Sequence, residues 1–199
     1  MLSRDDWSRA VGFATAGTLF ADSQLHGEAH WKAVASQGIL LADICGLGNE
    51  GRAVGALFGL FHDSRRENDD HDPEHGRRAA RAFTQWAMSS AISDELHDAL
   101  VQSMILHDTG QVTDDRIVGI GWDADRSTLE RVGIDPDPRF FSCVPEGYFK
   151  EYVAAGRSVT SAPPDWDEIY DRAFGPAAQA PKATLLARLS RRWRWRPTA

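Results

Sequence analysis

The sequence predicts an all-α protein, and three observations carry that prediction. Apolar residues recur at helical spacing, three to four positions apart, from Arg4 to Val132. Strand-like alternation of apolar and polar residues is hard to find anywhere in the 199 residues. Helix start and stop signals punctuate the periodic stretches.

A first helix is expected over Arg4 to Ala21. A second runs from about Gly27 to Ile44, with Val34, Leu40, Leu41 and Ile44 on its apolar face and Gly46 and Gly48 to stop it. The third, Gly51 to Phe61, is apolar nearly all round, the mark of a buried helix. The stretch SRRENDDHDPEH is a polar loop, and Pro73 suits the first turn of a fourth helix, Pro73 to Met88. Ser93, followed by Asp94 and Glu95, opens a fifth that reaches His107, and Gly110 breaks it. A sixth covers Arg116 to Val132 and ends at Gly133 and Pro136. Beyond Pro138, PEGYFKEYVAAG and DWDEIYDRAFG read as short helices divided by the loop SVTSAPP. The chain thus divides into a helical domain over residues 1–140, a helical extension packed on it over 141–178, and a tail over 179–199.

Charge is unevenly placed. The tail carries +6, all from lysine and arginine, so residues 1–178 hold −13 of a net −7. An acidic body argues against stable nucleic-acid binding, because neutralising phosphate needs a basic surface. In the tail, Leu185, Leu186 and Leu189 suit one helical stripe, expected to dock on the body or on a neighbouring subunit of a homo-oligomer. Trp193 and Trp195 among arginines raise the alternative of stacking on bases or an anionic membrane surface. Cys45 and Cys143 make no disulfide framework and read as reduced thiols. No stretch approaches the ~20 apolar residues of a spanning helix. Asp5 and Asp6 precede the N-terminal apolar run, where a signal peptide carries no acids, and a cytoplasmic location is expected.

Polar residues then fall at helix ends and turns. His30 sits early in the second helix, in HGEAHWKAV, and His62 with Asp63 closes the third, in FGLFHD. His75 opens the fourth, His107 ends the fifth, and Asp123 and Asp125 lie in the sixth, in WDADR. Imidazole and carboxylate together are a ligand set for a divalent metal such as Zn, Mn or Fe. Taken singly, a histidine on an amphipathic helix is an ordinary exposed or hydrogen-bonded side chain. An apolar run that delivers His–Asp into the interior is different, because buried charge needs a partner or a metal. HGEAH lacks the glutamate of HExxH, so His26 reads as a supporting residue, and His71 and His97 read as surface residues.

The order His30, His62–Asp63, Asp125 resembles the HD superfamily of metal-dependent phosphohydrolases, over roughly residues 22 to 135. HWKAV is similar to the first motif of that family, FGLFHD to its His–Asp pair, and WDADR to its last, where the Asp after Ala is the usual ligand. Asp125 is therefore favoured over Asp123. His75 and His107 match the extra histidines of two-metal members. The resemblance implies an all-α, HD-domain-like bundle in which Asp63 bridges two divalent ions (Mn, Fe, Zn, Co, Ni or Mg). His30, His62 and Asp125 would complete one site, and His75 and His107 the other. It implies phosphohydrolysis of a nucleotide or other small phosphorylated metabolite by metal-activated water. Candidates to hold phosphate are Arg65, Arg66, Arg77, Arg78 and Arg126. Arg66 and Arg126, nearest to ligands, are the choices for catalytic roles beside Asp63. Many members carry Lys where this chain has Arg66, which exchanges a point charge for a planar fork. The same ligand order serves di-iron oxygenases of the superfamily, and a non-catalytic nucleotide- or metal-binding member is a third reading.

Overall fold

A computed structural model describes residues 2–87 and 92–175, and its secondary structure there is entirely helical. The eight α-helices are α1 (Arg4–Ala16), α2 (Glu28–Ile44), α3 (Gly48–Phe61), α4 (His75–Ala87), α5 (Asp94–Leu106), α6 (Arg116–Arg126), α7 (Phe149–Ser161) and α8 (Trp166–Ala173). The fold is all-α, as expected. None of these helices is long and apolar enough to cross a membrane. The basic tail, and with it the expected docking of its leucine stripe, lies outside the described residues.

Two of the helices are the spine. Every residue of α3 from Gly51 to Phe61 is buried, which is what its nearly unbroken apolar run requires. It packs antiparallel on α2 after a turn in which Gly46 and Gly48 take positive φ, 67° and 61°. The two backbones touch: a methyl group on Gly38 would lie 2.5 Å from the Cα of Gly55, and one on Gly59 would lie 2.3 Å from the Ala35 nitrogen. Farther along, Gly51 meets Ala42. The same register carries the start of α2, with His30, to the end of α3, with His62 and Asp63. A second close pair lies at the same end, where α4 and α5 pack so tightly that a methyl on Gly76 would stand 2.3 Å from the Met104 carbonyl oxygen. That approach sets His75 beside His107. Helix α6 closes the bundle on α2, α3 and α5, its Gly121 lying against the Phe58 ring and the Ser103 hydroxyl. Helix α7 packs on α2, and α8 on α3, α2 and α1, where Trp7 meets Trp166 and Phe174.

Several expected boundaries move, each for a local reason. Helix α1 stops at Ala16 rather than Ala21, because the Arg65 guanidinium donates to the Phe13 and Ala14 carbonyls and caps its last turn. The sixth helix ends at Arg126 rather than Val132. The Ser127 and Thr128 hydroxyls donate to the Ala124 and Asp125 carbonyls, and the chain tightens into a 3₁₀ turn over Leu129–Val132. The expected loop SVTSAPP is largely helix, since α7 runs on to Ser161. There the Thr160 and Ser161 hydroxyls bond carbonyls one turn back, which leaves the ladder intact. The third helix starts at Gly48 rather than Gly51, and the fourth at His75 rather than Pro73.

Candidate metal centre

Six side chains from five helices and their ends converge. They form two groups that could each hold a metal ion, His30, His62 and Asp125 in one and Asp63, His75 and His107 in the other. All six residues expected as ligands are brought together. Asp123 is not among them: it points away, and its carboxylate accepts from the backbone N–H groups of Ser142, Cys143 and Val144 at 2.6–3.1 Å. Two positions along a helix separate the carboxylates by about 200°, so one faces the histidines and the other the loop.

Asp63 stands between the groups. Its Oδ2 lies 3.5 Å from His30 Nε2 and 3.6 Å from His62 Nε2. Its Oδ1 lies 3.3 Å from His75 Nε2 and 3.9 Å from His107 Nε2. Asp125 Oδ1 is 3.3 Å from His30 Nε2. The second group lines the main pocket, whereas of the first only Asp125 does.

The hydrogen bonds assign the tautomers. His62 Nδ1 lies 3.1 Å from the Gly59 carbonyl and 3.2 Å from that of Phe58, His107 Nδ1 lies 2.7 Å from that of Met104, and His75 Nδ1 meets that of Asp72. Each must donate there, so each Nε2 presents its lone pair to the site. Arg131 Nη2 stands 3.0 Å from His30 Nε2. His75 and His107 therefore aim two lone pairs at each other across 2.9 Å, while His30 Nε2 and His62 Nε2 lie 3.2 Å apart. Without a cation such pairs repel. Asp63 Oδ1 and Asp125 Oδ1 are buried with no hydrogen-bond partner, which costs free energy unless a ligand supplies one. Both observations fit divalent cations at this donor set.

Electrostatics favour the deprotonated forms of His62, His75, Asp63 and Asp125. Burial pushes His62 down to about 3, against the neighbouring Asp63 carboxylate. Burial also lowers His75, and the nearby His107 lowers it further. Burial pushes Asp63 up, but His62, His30 and Arg66 outweigh it and hold the carboxyl well below the usual range. For Asp125 burial is likewise overcome, by His30 and Arg131. Neutral imidazoles and ionised carboxylates are the forms that bind metal.

The arginines sort by what they touch. Arg66 is buried against Asp63, its Nε 3.6 Å from Oδ1, and its Nε and Nη1 have no hydrogen-bond partner. Arg126 is a strut: it donates to the carbonyls of Phe140 and His107 and lies over the Trp122 ring. Arg65 caps α1, Arg77 lies exposed beside Glu74, and Arg78 ties Asp72 to the Arg65 carbonyl. None of these three lines the main pocket. The residue that sequence reasoning missed is Arg131, whose Nε donates to the Leu25 carbonyl and whose Nη2 lies 3.6 Å from Asp125 Oδ1. On a continuous helix it would project about 120° away from Asp125, and only the 3₁₀ turn returns it.

The charged loop also has a structure of its own. Asp72 accepts from the backbone N–H groups of Glu67 and Asn68 and from Arg78, and its carbonyl orients His75. Asp69 holds His26 and Ser23, and His26 lines the pocket. His71 is exposed, whereas His97 is partly buried, stacked on Phe83. Comparison with family models, with curated proteins and with solved structures finds no match to this chain.

Proposed function

We propose that the protein is a metal-dependent phosphohydrolase of the HD superfamily that acts on a nucleotide or other small phosphorylated metabolite. The observation that carries the reading is Asp63, whose two oxygens face two separate histidine pairs, the disposition of a bridging ligand. His30, His62 and Asp125 would hold one divalent ion and His75 and His107 the other, with Asp63 shared. Such ions lower the pKa of a water to near neutrality and neutralise charge on phosphoryl oxygens.

The chain's own residues supply the rest. The backbone carbonyls behind His62, His75 and His107 lock each ring so that Nε2 faces inward. Arg66, with buried and unpartnered donors beside Asp63, is suited to take a phosphoryl oxygen, and its planar fork can do so with two hydrogen bonds. Arg131 is a fixed positive charge at the Asp125 edge, and Arg126 holds the pocket wall.

Metal analysis of protein purified without added metal, followed by a panel of phosphomonoesters and nucleotides, tests the reading. Phosphate release that disappears on chelation and returns with Mn, Co, Zn or Mg is expected. Bound iron with oxygen consumption and no phosphate release would replace it by the oxygenase chemistry.

A further inference from the structure

The pocket in front of the metal ligands has a volume of about 380 Å³, and its walls divide by chemistry. At the floor lie Asp63, His75, His107, Asp125 and Arg66. One side is apolar, made by Leu129, Val132, Ile134, Phe140 and Phe141. Ile134 and Phe140 are 52% and 44% exposed, large apolar side chains left open at the mouth of a polar site. The remaining charged lining residues are Asp108, Asp135 and Asp137 together with Arg126 and Arg131, and there is no lysine among them.

We propose that this pocket takes a phosphomonoester whose alcohol carries a compact apolar group of about one ring, seated on Phe140 and Ile134, with no second anionic group at its far end. The inference rests on the phosphohydrolase reading and narrows its substrate class. Phosphate belongs on the floor, where the unpartnered Arg66 donors lie. A volume near the low end for ligand pockets suits a small ester rather than an extended one. Covering the exposed faces of Phe140 and Ile134 removes apolar surface from water, and a ring does so at low entropy cost. A second phosphate would meet Asp108 and Asp135, while Arg126 and Arg131 already donate to the carbonyls of Phe140 and Leu25, so like charge rejects it.

The wall is built in advance. The Phe140 carbonyl accepts from Arg126, and the three residues after Phe141 hang by their N–H groups from Asp123. Both anchors lie on α6, the helix that carries Asp125, so the apolar wall and that ligand share one rigid support.

Calorimetric titration of the metal-loaded full chain with non-hydrolysable phosphonates tests this. Benzylphosphonate is expected to bind at least about tenfold more tightly than methylphosphonate. In Phe140→Ala and Ile134→Ser that advantage should fall below about threefold while methylphosphonate binding is unchanged. A carboxyl group at the para position of the ring should also remove the advantage. Equal binding of the benzyl and methyl compounds, or an advantage indifferent to both substitutions, overturns the apolar subsite and leaves the phosphohydrolase reading standing. An undiminished para-carboxyl compound overturns the exclusion of a second anion. Failure of every phosphonate to bind, together with no phosphate release from any ester, takes down both readings.

Discussion

Asp63 and His75 meet through a single carboxylate oxygen, Oδ1, at 3.3 Å from Nε2, while the other oxygen of Asp63 faces His30. One side chain therefore touches both groups of candidate ligands. Asp63→Ala should empty both of cation and abolish phosphate release, whereas His62→Ala should empty only one. Metal content per chain by atomic emission checks this. Full occupancy in Asp63→Ala would falsify the bridging role.

Arg131 competes with any cation at the first group, because its Nη2 already stands at His30 Nε2 and near Asp125. Like charges a few ångströms apart in a partly buried site repel by roughly 1–4 kcal/mol. Arg131→Gln should therefore bind the ion at the first group several-fold more tightly and leave the second group unchanged. Two-site metal titration resolves the two affinities, and a weaker first site in the variant would contradict the account.

Acid should destabilise the metal-free protein in a defined window. In the fold His62 is held at about 3 by burial, against the pull of Asp63, whereas in the unfolded chain it titrates near 6.5. Between those values the unfolded chain binds more protons, so the stability present above about pH 6.5 declines as pH falls towards 3. Denaturant midpoints measured across pH 4–8 should fall on the acid side, and His62→Gln should flatten the dependence. A midpoint that rose on acidification would contradict the neutral, buried imidazole.

Gly76→Val should push α5 off α4, because a methyl there already meets the Met104 carbonyl oxygen. Overpacking of this kind costs about 1–3 kcal/mol. His107 would move away from His75, so cation binding at the second group should weaken even where circular dichroism remains helical. Unaltered metal affinity would show that the site does not depend on this contact.

Asp123→Asn tests the loop anchor. An amide presents one acceptor oxygen where the carboxylate presents two, and leaving a buried N–H unpaired costs about 1–3 kcal/mol. Burial pushes Asp123 up to about 6 even with three N–H donors around it. Thermal stability should drop and KM rise with metal content unchanged. Lost metal would instead make Asp123 part of the ligand set.

The helices were legible in the sequence because each rests on local order, and the six residues that converge were named there from the resemblance of their motifs. The apolar face of α3 can be buried only by neighbours on every side, and His–Asp at its exit has nowhere to point but inward. Arg131 was not legible, since its return depends on Ser127 and Thr128 bonding backward to break the helix, a competition decided by the tertiary surroundings. Nor was the double duty of WDADR, where Asp125 serves the histidines and Asp123 the loop. Spacing identifies two faces of a helix but not what each will meet. Arg65 and Arg126 read as anion binders from composition, and only the placement of carbonyls beside them makes them struts.

Contacts across the spine pair Gly38 with Gly55, Ala35 with Gly59 and Ala42 with Gly51, so paired residue numbers add to 93 or 94 each time. His30 and Asp63 obey the same sum. One inserted or deleted residue inside either helix would turn everything beyond it by about 100° and carry the ligand pair out of alignment. Length variation between the two ligand-bearing ends is then confined to the turn at Cys45–Leu47, outside both helices. Descendants of this chain can lengthen that turn while their two central helices keep step residue for residue, and the closeness of His30 to His62 is inherited from hydrogens that no side chain has replaced.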